Sequence, residues 1–167
     1  MKLYKGKIEV QSEGQHPTFH DITPKVKEFL KESKIKDGVC TVYSHHTTCS
    51  VLIQELSHDR TYFGLEFLQQ DLCNIMEKLI PTCRVQDQYL HPGPKHIEFG
   101  DSVGEPGPWT SLNTDAHLRS SLFGRSESIV VEENALDLGQ FGFIYFIDWD
   151  QVRARKREVK ITIIGEE

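Results

Sequence analysis

The chain has 167 residues and a formal net charge of −6, with 38% hydrophobic and 26% charged residues. That length fits one domain of about 100–200 residues with a sizeable core, and the composition excludes a disordered or fibrous chain. The acidic balance argues against broad binding of phosphate backbones, no apolar run approaches the roughly 20 residues that span a bilayer, and Met1 to Gly6 lacks the apolar centre of a signal peptide, so the expectation is a soluble cytoplasmic protein with neither nucleic acid nor membrane as partner.

In chain order, Tyr4 to Ser12 places Ile8 and Val10 at period two among polar residues and predicts a half-buried strand. Thr23-Pro24 offers a capping hydroxyl and a proline suited to a first helical turn, and Val26, Phe29 and Leu30 then share one face of a helix that should stop by Asp37-Gly38. The β-branched and apolar content of Val39 to Tyr43 and Cys49 to Leu56 predicts two strands. A long helix is expected from about Thr61 to Ile80, opened by Asp59, with Leu65, Leu68, Leu72, Ile75, Met76 and Leu79 as a core stripe and Pro81 as its stop.

From Gln88 to Leu112 the clusters His91-Pro92-Gly93-Pro94 and Gly104-Glu105-Pro106-Gly107-Pro108 read as breakers, giving a long loop without regular structure. Asn113 or Thr114 should cap a short helix that carries Asp115 in its first turn, turns Leu122 toward the core and closes at Gly124. Strands are expected through Ile129-Val130-Val131, Phe143 to Trp149 and Glu158 to Ile164. The irregular order predicts a single α+β domain over 1–167: a largely antiparallel sheet or sandwich core with two main helices and one short one.

Four cysteines, Cys40, Cys49, Cys73 and Cys83, lack the paired spacing of a zinc knuckle and read as free thiols. Cys40 and Cys73 have apolar neighbours that suit core packing, whereas Cys49 lies three residues after His46, where a catalytic thiol is one alternative.

Three histidines carry most of the chemical promise. His45-His46-Thr47-Thr48-Cys49-Ser50 gathers two imidazoles and three hydroxyls where a strand should end, and adjacent residues of an extended segment face opposite ways, so at most one imidazole should enter a given site. His91 stands at the mouth of the long loop; His117 lies in the short helix near a start that favours anions. For each the alternative is a bonded or solvated side chain. Glu55, on the strand after His46, is a proton carrier or orienter or else a strand-face charge; Asp59 and Asp115 are equally open. Arg153, Arg155, Lys156 and Arg157 form either a solvated turn or a phosphate clamp.

Taken together, His46-Thr47-Thr48, Glu55, Tyr89-Leu90-His91, the Asn113 to Gly124 stretch, Leu138-Gly139, Ile144-Tyr145 and a Gly165-Glu166 tail resemble the YjbQ-like family, also described as secondary thiamine-phosphate synthase enzymes. The resemblance implies a homotrimer with sites near subunit boundaries, in which His46, His91 and His117 gather around a divalent metal, zinc or magnesium, or an anion. It further implies a phosphorylated small-molecule substrate, catalysis by His46, Glu55 and His117, and substrate contacts from Thr47, Thr48, Asn113, Ser120 and Arg153. The implied reaction joins an aminopyrimidine diphosphate to a thiazole phosphate; a trimer that binds a metal or phosphorylated ligand without turnover is the alternative. The chain departs from the family pattern at Gln54-Glu55-Leu56, Gln140-Phe141-Gly142-Phe143 and Asp148, and its 95–110 loop is longer than usual.

Overall fold

Two antiparallel sheets organise the computed structural model, which describes residues 1–167. Eight strands form: β1 Lys2–Gln11, β2 Thr18–Asp21, β3 Asp37–Tyr43, β4 Cys49–Glu55, β5 Ser126–Glu132, β6 Ala135–Leu136, β7 Gly142–Asp148 and β8 Lys156–Glu166. The larger sheet runs β1-β8-β3-β5-β6 and the smaller β2-β7-β4, with every pairing antiparallel. Helices α1 Thr23–Ser33, α2 Phe67–Leu79, α3 Pro94–Ser102 and α4 Thr114–Phe123 complete the fold, with a 3-10 turn at Pro108–Ser111.

Period-two patterning sets the sheets against one another. Along β8, Arg157, Val159, Ile161, Ile163 and Gly165 point inward and the residues between them outward. Val26 and Leu30 of α1 join Cys40, Val42, Val51, Ile129, Ile144 and Phe146 in the main core, while Met76, Ala116, Tyr145, Ile147 and Trp149 make a second cluster on the other face of β7. β7 thus buries both faces, which is why its sequence is almost continuously apolar.

The α+β antiparallel class is as expected, but the helices differ in three ways. Thr23 does not cap α1: the Asp21 carboxylate accepts from its N–H at 2.9 Å, and the Thr23 hydroxyl instead accepts from the Ile144 N–H at 2.8 Å. α2 starts six residues later than Thr61, where Glu66 and Gln69 form a reciprocal capping box, and Asp59 lies outside it. A fourth α-helix also exists, because Pro94 sits in the first turn of α3, where its missing N–H costs no bond; the 88–112 segment is therefore largely ordered.

Two apolar expectations are also corrected. On α2 only Met76 of the expected stripe is buried; Leu68, Ile75 and Leu79 are exposed, as is Phe67, because the helix meets the small sheet along the narrow line of Leu72, Cys73 and Met76. Leu122 of α4 is exposed, and its neighbour Phe123 stacks on Trp149 at 5.4 Å in its place.

Candidate functional site

A polar cavity of about 370 Å³ opens where the β3–β4 connection, α3, the start of α4 and the β7–β8 connection meet. Its lining includes His45, His46, Thr47 and Thr48 from the first, His96 from α3, Asn113 just before α4 and His117 within it, Asp150 and Arg155 from the last, and Arg157 from the start of β8. Residues 44–48 are irregular, so His45 and His46 do not alternate across a strand: their rings stand 4.2 Å apart and both reach the cavity, against the expectation that only one would.

His91 lies behind this lining. Its ring is 4.4 Å from that of His96 and 5.7 Å from that of His117, and its buried Nε2 has no hydrogen-bond partner. Thr114, in the first turn of α4, donates its hydroxyl to the His91 carbonyl at 2.6 Å, which pins the loop to the helix. His46 is held differently: its Nε2 accepts from the Glu158 N–H at 3.0 Å, leaving only Nδ1 for a ligand. No three His, Cys, Asp or Glu side chains already stand together as a metal-binding group.

Carboxylates and guanidiniums balance one another along the cavity wall. Arg157 donates to both oxygens of Asp148, at 2.6 and 3.1 Å, and to the Thr48 hydroxyl at 2.9 Å. Arg155 approaches Asp150 at 3.3 Å, and Asp150 also accepts from the Asn113 amide at 3.4 Å. Burial lowers the pKa of His46, His91 and His117, since desolvation disfavours the imidazolium. For His46 the Arg157 charge adds to this; for His117 the Thr47 backbone and Asp150 oppose it.

The remaining sequence-derived residues are scattered. Glu55 is exposed at the far end of β4, six residues from Cys49 and so about 20 Å along the strand, and does not line the cavity. Ser120 is buried and donates to the Cys49 carbonyl at 2.6 Å, a structural tie between α4 and β4. Arg153 is outside the lining and paired with Glu105; Asp115 accepts from the Cys83 N–H and approaches Arg119. The Cys49 thiol is fully buried and its pKa is driven up by desolvation, so the catalytic-thiol alternative fails. Reasoning from sequence overlooked His96 and Asp150; an imidazole five residues after His91 was a signal for the first, had the helix been recognised.

A two-sheet antiparallel domain with a histidine- and arginine-lined cavity between its connections is the class of protein that this arrangement defines. The chain belongs to the family described as UPF0047 protein YjbQ-like, which matches residues 6–166. A UPF0047 protein of Methanocaldococcus jannaschii is 31% identical, with 87% of this chain and 84% of that protein covered. One of Archaeoglobus fulgidus is 33% identical over 84% of this chain and 87% of its own. Among solved structures, an uncharacterized conserved YjbQ/UPF0047 protein of Clostridium acetobutylicum shares 31% identity at a TM-score of 0.68, covering 94% of this chain and 99% of its own.

Proposed function

We propose that this protein is an enzyme acting on a phosphorylated small molecule in the His46–His117–Arg157 cavity. The observation that carries the reading is the convergence of four imidazoles and two guanidiniums, with threonine hydroxyls, on about 370 Å³ of space beside the N-terminus of α4. N–H and O–H donors of this kind suit phosphate oxygens, and that volume falls at the lower end of small-molecule sites, about 300–1,000 Å³.

His117 is the central residue of this reading, lying both on the cavity and against His91. Its neutral form can take a proton from a reacting group, and Asp150 favours the charge that results. Imidazole donors of this kind suit zinc and not magnesium, which prefers oxygen ligands: His91 and His117 would hold the zinc ion, with His96 nearest to hand, and the unpartnered Nε2 of His91 is the observation in its favour. Bound there, it would neutralise charge on a departing phosphate group. His46 would need Nδ1 to join them, because Nε2 is engaged.

The specific reaction to test is the condensation of an aminopyrimidine diphosphate with a thiazole phosphate. Incubation of the purified protein with both, with zinc or magnesium, should release diphosphate, and His117→Ala should abolish release while the circular dichroism spectrum is kept. Undiminished release by that variant rejects the assignment. A second reading, a non-catalytic trimeric module, is favoured by one observation: Glu55, the expected proton carrier, is far from the cavity. Tight binding of phosphorylated ligands without product under either metal selects that reading.

A further inference from the structure

The hydrogen bond that holds His46 determines what its ring offers to a ligand. Because the Glu158 N–H points at Nε2 from 3.0 Å, Nε2 is an acceptor, and a neutral imidazole then carries its one proton on Nδ1. Protonating Nε2 would set two N–H groups against each other. Burial disfavours the charged ring further, as do Arg157 and His45, while Asp148 and Glu158 pull weakly the other way.

Arg157 presents a second fixed donor nearby. Its Nε and Nη2 are committed to Asp148 and Thr48, but Nη1 makes no hydrogen bond within the protein. The side chain is only 7% exposed, and it lines the same cavity as His46. Its positive charge is largely neutralised by Asp148 and Asp150, at 2.6 and 3.7 Å, so what it supplies is directed N–H bonds rather than a strong field.

We propose that the Nδ1–H of His46 and the free Nη1 edge of Arg157 form one oxyanion subsite, in which His46 serves as a neutral hydrogen-bond donor and neither ligates a metal nor acts as a base. This deepens, and rests on, the reading of the cavity as a site for phosphorylated molecules. Both groups only donate, so they select an acceptor-only group such as the terminal oxygens of a phosphate and reject a cationic or hydroxyl-donating end. Proton transfer and metal binding are then left to His91, His96 and His117.

The test begins with unaltered, chelator-treated protein at pH 7, so that it does not depend on any variant folding. Long-range proton–nitrogen correlation spectra should show a pyrrole-type Nδ1 and a pyridine-type Nε2 for His46, assigned by the signals lost in His46→Asn. Calorimetric titration with inorganic phosphate follows. An asparagine amide reaches the position of Nδ1 and a glutamine amide that of Nε2, so His46→Asn should retain phosphate affinity and His46→Gln should lose about tenfold or more. A pyridine-type Nδ1, an imidazolium, or equal weakening by both variants overturns the assignment of His46 while the phosphate reading stands. No phosphate affinity in the unaltered protein overturns that reading itself, and the subsite with it.

Discussion

Arg157 and Asp148 make a two-pronged ion pair, 2.6 and 3.1 Å, at a point where the aspartate side chain is fully buried and the arginine nearly so. The pair joins β7 to β8 across the edge of the cavity and orients the guanidinium. Asp148→Ala would strand a buried guanidinium and should cost about 3–5 kcal/mol in urea unfolding. A loss no larger than that of a surface substitution contradicts the role given to this pair.

Ser120 tests the separation of structure from ligand contact. Its buried hydroxyl is spent on the Cys49 carbonyl, so Ser120→Ala should destabilise by about 1 kcal/mol and leave phosphate affinity unchanged. A calorimetric loss of affinity at unchanged stability would return Ser120 to the site.

His20 supplies a pH prediction away from the cavity. Its ring lies 6.1 Å from that of Phe146 with a buried, unpartnered Nε2, and desolvation lowers its pKa from the usual 6.5, with Asp148 and Glu13 opposing. The unfolded chain therefore binds more protons than the folded one below pH 6.5, so this contribution is whole above that pH and is lost as pH falls through the folded-state pKa. Urea midpoints measured in chelator should fall from pH 7.5 to 5, and His20→Phe should flatten the slope; an equal slope in the variant would exclude His20 as a contributor. His46, His91 and His117 share the sign, so a residual slope persists.

The four thiols should be inert in the folded protein. Burial pushes Cys40 and Cys73 up to about 11 and raises Cys49 and Cys83 as well. Iodoacetamide at pH 8 should label them slowly until denaturant is added, with sites read by peptide mass spectrometry. Rapid native labelling of Cys49 would contradict its placement.

The homotrimer implied by the family resemblance is tested at the apolar face that α2 leaves open, Phe67, Leu68, Ile75 and Leu79. Light scattering should give three times the 19.2 kDa chain mass, and Ile75→Glu should lower it. A monomer at all concentrations would dismiss the trimer.

Much of the fold was legible because local chemistry and tertiary structure agree. β8 alternates cleanly, and α4 begins and ends beside Asn113 and Gly124 as its sequence suggests, although neither expected cap forms: the Asn113 amide donates to Asp150 and the Thr114 hydroxyl to the His91 carbonyl. α3 was hidden because Pro94 and Gly93 are both breakers and helix starters, a choice that only packing resolves. The α2 stripe misled for a related reason: periodicity shows that a face is apolar, not what covers it. At the site, His91 stands between His117 and His96, and His96 was missed because it lay within the unrecognised helix. The engagement of His46 by Glu158 spans 112 residues and has no local signature.

The most direct measurement is a crystal structure of the protein soaked with inorganic diphosphate. The account predicts phosphate density in the cavity, with oxygens in hydrogen-bond contact with His46 Nδ1 and Arg157 Nη1 and with His117 alongside. Density that settles elsewhere at saturating ligand, for instance in the groove of Thr82, Arg84 and Gln151, while this cavity holds only water, would contradict it.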